Sequence, residues 1–257
     1  MTSWLTVEAG MTAQGLRIAP VRGSVPSPWS EFCRGLFYVK KLPFALISAR
    51  DPKAGLVAFK AATGHDVLPV VLWNEERPRA SWIEQLALAE RLAPEPALLP
   101  DTPAERAHIR GFLAELCTEG GFGWCRRLLM IERLLRESQY GDRERAIGQY
   151  LAAKYGYHGA SIAAAQRRCE AVVAAFARLS DVDAPYLAGQ TLTALDLGWA
   201  AFAALIRPLP EPVCAIHPLW RDLYTWTPAE TAPAAVDALL ARRDRIYQEW
   251  LELPVVC

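Results

Sequence analysis

The chain has 257 residues, enough for two domains of ordinary size rather than one core. Hydrophobic residues make up 52% and charged residues 22%, a balance that excludes an intrinsically disordered chain. Lys+Arg and Asp+Glu both number 28, so no global field favours nucleic acid or an anionic membrane, and small-molecule chemistry is the default expectation.

Residues 1–14 lack a basic leader and carry Glu8 within their apolar stretch, so they read as a tail and not as a secretion signal. Leu16 to Val21 reads as a strand ending in a turn at Arg22-Gly23-Ser24. Ser27-Pro28 is a cap followed by proline at the first helical position, and Trp29 to Lys41 continues at helical period. Pro43 to Ile47 forms a second strand, so the unit is strand–helix–strand with parallel strands. Asp51 to Thr63 suggests a short irregular helix, and Val67 to Trp73 an apolar strand with Pro69 near its start. A polar connection, Asn74 to Arg77, leads to a short return strand, Pro78 to Ala80. Ser81 then caps a helix, Trp82 to Leu92, with Glu84 at the capping-box position.

The proline-rich stretch from Pro94 to Pro103 marks the boundary between a first domain, 15–96, and a second, 104–257. The second reads as helices throughout: Ala104–Thr118, Gly123–Glu137, Asp142–Lys154, Ser161–Leu179, Thr193–Ile206, Pro218–Thr225 and Pro233–Leu251. Its longest apolar run, Leu197 to Ile206, is too short to span a bilayer. The cysteines, Cys33, Cys117, Cys125, Cys169, Cys214 and Cys257, form no Cys-x-x-Cys pair and show no metal-ligand spacing. They read as buried fillers of a protein from a reducing compartment, the cytoplasm.

Four segments resemble one family, the cytosolic glutathione transferases. Ser27-Pro28-Trp29-Ser30 opens the first helix and Lys41-Leu42-Pro43-Phe44 closes that unit. Leu68-Pro69-Val70-Val71 is similar to the family's cis-proline stretch, and Ala80-Ser81-Trp82-Ile83 to its Glu-Ser-x-x-Ile helix. Tyr186 to Asp196 is similar to its late helix, whose Thr-x-x-Asp box is here Thr193 and Asp196. The resemblance covers nearly the whole length. It implies a thioredoxin-like N-terminal domain followed by an all-helical C-terminal domain, a homodimer, and glutathione as co-substrate.

On that resemblance Ser27 is the catalytic candidate. A free thiol has a pKa of about 8.5, and a hydroxyl donating to the sulfur at a helix N-terminus favours the thiolate. A plain helix cap is the competing role, and Ser24 and Ser30 are rivals in the same loop. Leu68, ahead of a cis Pro69, implies backbone pairing with the tripeptide, and Ser81 a site for its γ-glutamyl carboxylate. Trp29, Lys60 and His65 complete the implied glutathione site. The sequence departs from the pattern at Ala80, where the family has an acid that meets the tripeptide's ammonium; one charged contact is worth roughly 1.5–3 kcal/mol. Phe122, Trp124 and Arg126 either line the pocket for an apolar electrophile or pack the core, and the same choice holds for Trp220, Trp226 and Trp250. Thr193 and Asp196 read as structural. Three functions stay open: a serine-type transferase, a non-catalytic binding or interaction protein of the same fold, and a cysteine-based thiol transferase.

Overall fold

The computed structural model describes residues 4–21, 26–49, 55–179 and 184–255. Ser24, its turn and residues 51–54 of the expected irregular helix lie outside them. The first part of the chain runs β1 (Trp4–Leu5), α1 (Val7–Thr12), β2 (Leu16–Ala19), α2 (Pro28–Val39), β3 (Phe44–Ile47), α3 (Gly55–Thr63), β4 (Val70–Trp73) and α4 (Trp82–Leu92). The sheet order is β1-β3-β2-β4, with β1 and β2 parallel to β3 and β4 antiparallel to β2. The strand begins three residues later than the apolar run at Val67 because Pro69 has no N–H to give a ladder. The expected return strand reduces to one bridge, in which Val71 and Arg79 exchange two backbone bonds of 2.9 Å.

The stretch read as a tail instead adds a strand and a helix. Trp4 and Leu5 pair with Leu46 and Ile47, covering what would be an open sheet edge. Arg17, buried at the centre of β2, ties this addition down: its guanidinium donates to the carbonyls of Gly10 (3.2 Å), Ala13 and Asn74 (2.6 Å). Asn74 turns the chain with φ 45°, a left-handed conformation that Asn tolerates, and its side chain accepts from the Gly15 N–H at 2.8 Å.

The second part is helical: α5 (Pro103–Cys117), α6 (Phe122–Arg136), α7 (Asp142–Tyr155), α8 (Ile162–Leu179), α9 (Ala194–Phe202), α10 (Pro218–Tyr224) and α11 (Pro233–Trp250), with 3₁₀ turns at Gly159–Ser161 and Ala203–Leu205. Three of these begin with proline at the first turn, where its missing N–H costs nothing. Asp196, buried in the first turn of α9, accepts from the Leu187 N–H (2.8 Å), the Thr193 N–H (2.9 Å) and the Thr193 hydroxyl (2.9 Å). Its role is therefore to satisfy buried donors at a helix start.

The two parts share one hydrophobic core. It runs without a break from Ile18, Phe32 and Leu36 to Leu113, Trp199 and Leu239. α2 packs on α4 on one side and α9 on the other. At this junction the Trp29 indole N–H donates to the Cys117 carbonyl at 2.8 Å, and its ring meets Phe202 edge-on at 5.0 Å. Gly123 makes that approach possible: a Cβ there would lie 2.4 Å from the Phe202 ring and 2.9 Å from Trp29. Among the described residues no helix is long and apolar enough to cross a membrane.

Candidate functional site

Ser27 stands at the N-cap of α2 with extended backbone, ahead of Pro28. Its hydroxyl makes no capping bond to the helix. The residue is 8% exposed and lines a cavity of about 640 Å³ between the two parts of the chain. Ser30 does something else: its hydroxyl accepts the Val21 N–H at 2.9 Å and so pins the strand end to α2. Between these two rivals, Ser27 is the one whose hydroxyl is not committed to the chain.

Pro69 lies at the same end of the sheet. Ala19 pairs with Val70, and Val21, two residues beyond Ala19, lines the cavity beside Ser27. The Leu68–Pro69 bond is cis, and neither the N–H nor the C=O of Leu68 meets another backbone group among the described residues. Asp66, two residues before Leu68, feels the charge of Lys154 on the cavity wall.

Gln85 joins Pro69 to Arg79, and nothing in the sequence reading singled it out. Its side-chain amide donates to the Pro69 carbonyl (3.1 Å) and to the Arg79 carbonyl (3.2 Å), holding α4 against the cis-proline loop. Gln85 is 2% exposed on a helix face otherwise formed by Leu86, Leu88 and Ala89. A polar residue on an apolar face was the available signal.

Ser81 is the N-cap residue of α4, but the expected capping box is not formed. The Ser81 hydroxyl caps no helix N–H; it donates to Glu84 Oε2 at 2.8 Å. Glu84 also pairs with Arg77 at 2.6 Å, and the bonds from Arg77 and the Ser81 hydroxyl hold its carboxyl below the usual range. The chain's own carboxylate thus occupies the mouth of this helix, where a ligand's carboxylate would bind. Lys60 is paired with Asp66 at 2.7 Å in solvent, and the His65 N–H bonds the Thr63 hydroxyl. No hydrogen bond ties Lys60 or His65 to Leu68 or Ser81 among the described residues. Trp29 faces the domain junction described above rather than this loop.

Of the pocket candidates, Phe122 is in the core, tilted against Trp226 at 6.2 Å. Arg126 is buried and braces the bundle: it donates to the carbonyls of Leu205 (2.9 Å), Leu223 (3.2 Å) and Tyr224 (3.3 Å) and stacks on Trp226. Burial pulls its pKa down to about 10. Trp124 is half-buried, edge-on to Tyr155, whose other side reaches the cavity. The wall is built instead by the next residue, Arg127, with α7 and the α10 residues Trp220 and Tyr224. The Arg127 guanidinium donates to the Tyr224 hydroxyl at 2.7 Å, which in turn donates to the Pro26 carbonyl at 3.0 Å, beside Ser27.

The five described cysteines are all buried, and only Cys125 has its thiol pulled down, by a hydrogen bond with Cys169. Cys33 is fully buried on the core face of α2 and its thiol is pushed far up by burial; Cys117 is in the same position on α5. Cys125, Cys169 and Cys214 are buried as well, and Cys257 lies outside the described residues. Among the described residues no group of three or more His, Cys, Asp or Glu side chains is arranged for a metal.

No protein-family model matches the chain, and no curated protein matches it in sequence. Its fold is nevertheless that of known structures. A glutathione S-transferase of Methylobacterium radiotolerans, in complex with glutathione sulfonate, aligns over 92% of both chains with a TM-score of 0.60 and 19% identity. The β-etherase of a Sphingobium strain aligns over 89% of this chain and 100% of its own, with a TM-score of 0.56 and 18% identity. A bacterial maleylpyruvate isomerase, described as a Zeta-class glutathione S-transferase, aligns over 89% and 95%, with a TM-score of 0.51 and 20% identity. At such identities the likeness shows the fold.

Proposed function

We propose that this glutathione-transferase fold serves a glutathione-dependent enzyme in which the Ser27 hydroxyl holds the bound thiol as thiolate for attack on an electrophile in the adjoining cavity. The observation that carries the reading is Ser27 itself: a residue at a helix N-terminus, its hydroxyl uncommitted to its own cap, that lines the cavity between the domains. The thiol gives up its proton to solvent, the sulfur accepts the Ser27 O–H, and the positive end of α2 adds to the stabilisation. Leu68 offers its free backbone groups to the cysteinyl part of the tripeptide, as an added strand would. The neighbours named above are a glutathione S-transferase, a β-etherase and an isomerase, and the reaction type proposed here stays at that level. A homodimer acting in the cytoplasm belongs to the same proposal.

The test is Ser27→Ala. A hydrogen bond to a charged group is worth roughly 1.5–3 kcal/mol, so the thiol pKa of bound glutathione rises by about one to two units and turnover falls about ten- to a hundredfold. Unchanged turnover removes Ser27 from the mechanism.

A second reading, a non-catalytic binding protein, has its own support in Ala80 and in the bond from Ser81 to Glu84. On the enzymatic reading Glu84 competes with the ligand's carboxylate. At about 4 Å two like charges in water repel by about 1 kcal/mol, so Glu84→Gln tightens glutathione binding about fivefold by calorimetry. Neither protein releasing heat with millimolar glutathione favours the binding-protein reading.

A further inference from the structure

The cavity beside Ser27 carries an imbalance that an apolar electrophile does not explain. Arg127, Arg143 and Lys154 line it, and no Asp or Glu does. Arg127 is the unusual member. It is 8% exposed, yet its recorded partners are neutral: the Tyr224 hydroxyl, the Met130 sulfur at 3.4 Å and the faces of Trp29 and Tyr224. No carboxylate forms an ion pair with it among the described residues. A buried charge without a counter-charge is costly unless something supplies one. Arg143, in the first turn of α7, likewise has no ion pair among the described residues, and Lys154 lies over the Tyr155 ring at 5.6 Å. Asp66, paired with Lys60, also lies within electrostatic reach of Lys154, so Arg127 carries the argument. The rest of the wall is aromatic or aliphatic, with Tyr150, Tyr155, Trp220 and Tyr224 around Ile147 and Leu151.

We infer that the second substrate is an aromatic carboxylate, its ring held among the tyrosines and Trp220 and its anionic group held by Arg127 with Arg143 and Lys154. The inference rests on the reading that this cavity holds the electrophile. A planar guanidinium matches a carboxylate in two parallel hydrogen bonds, and the aromatic wall takes the apolar body. The volume of about 640 Å³ suits a ligand of one or two fused rings with substituents.

The test is calorimetric titration with a naphthalene carboxylate and with the uncharged naphthalene carboxamide, at low salt and without glutathione. The carboxylate is expected to bind about tenfold or more tightly. Arg127→Gln should erase that preference, but Arg127 is buried and its replacement also disturbs packing. Arg143→Glu/Lys154→Glu, on an outer helix, therefore carries the decision. In this variant carboxylate binding falls about tenfold or more while carboxamide binding stays within about twofold. Equal binding of the two compounds to the unaltered chain overturns the proposal, as does a preference that survives the double charge reversal. Because glutathione is absent, either failure leaves Ser27 untouched. A missing thermal shift with glutathione, in turn, would remove Ser27 without bearing on this site.

Discussion

Replacing Gln85 tests how the cis-proline loop is held against α4. In Gln85→Leu two carbonyls lose a donor at once. The Arg79 carbonyl keeps its bond from the Val71 N–H at 2.9 Å, so its loss is small, about 0.5–1 kcal/mol. The Pro69 carbonyl has no second donor among the described residues and is buried, so it bears the desolvation cost of an unmet acceptor, about 1–3 kcal/mol. Burial of leucine methyls returns part of this, leaving a net destabilisation of about 2–3 kcal/mol, or a fall in Tm of about 4–10 °C for a chain of this length. Gln85→Glu is worse above neutral pH, because a carboxylate placed 3.1–3.2 Å from two carbonyls has nothing to donate. Protonation restores a donor, and burial raises the acid's pKa, so the native state of this variant binds the proton more tightly than the unfolded chain. Its stability is then fullest at acid pH and declines as pH rises through the native pKa. Urea melts at several pH values read both effects, and calorimetry with glutathione reads the loop, whose affinity should weaken in both variants. A Gln85→Leu protein within 0.5 kcal/mol of the original, or a Gln85→Glu protein with no added pH dependence, would refute this account.

Glu31 gives a second pH signature. Burial raises its pKa to about 7 despite the opposing charge of Arg34 at 2.9 Å, and Glu252 adds to the rise. The native state holds the extra proton, so stability should fall between about pH 4.5 and 7, by up to about 3 kcal/mol, and level off above. Glu31→Gln should flatten that slope and be the more stable protein at pH 8; an identical slope in the variant would show that another group is responsible. Asp196→Ala strands the Leu187 and Thr193 amides in the core and should cost about 3–5 kcal/mol in chemical denaturation, with Asp196→Asn intermediate because one oxygen becomes a donor. A loss below 1 kcal/mol in the alanine variant would mean that water reaches those amides.

Much of the fold was legible because its signals are local. Pro218 and Pro233 stand where the expected helices begin, the helix expected from Ala104 starts one residue earlier at Pro103, and all three end within a residue of the expected position. The β1 strand was not legible. Two residues have no periodicity, and Trp4 and Leu5 are strand only because β3, some forty positions on, offers an edge. The cavity wall failed for a different reason. Arg126 and Arg127 are adjacent, and one step along a helix turns a side chain by about 100°. Composition cannot say which arginine faces the bundle and which the cavity; packing decides it, and Arg126 goes to the carbonyls. Ser27, by contrast, is distinguished from Ser30 only by where each hydroxyl finds a partner, and that depends on Val21 arriving from another element.

The unbroken core that joins Phe32 and Leu36 to Leu113 and Trp199 has a consequence for how the molecule can be taken apart. Severed at the proline-rich connection, the first half would present the α9-facing side of α2 to water, and Trp29 would lose its carbonyl partner on Cys117. Melting should accordingly proceed as a single transition seen alike by tryptophan emission and by far-ultraviolet dichroism. The half that carries Ser27 is a lobe of one cooperative body, and its serine is held in place by helices that come late in the chain.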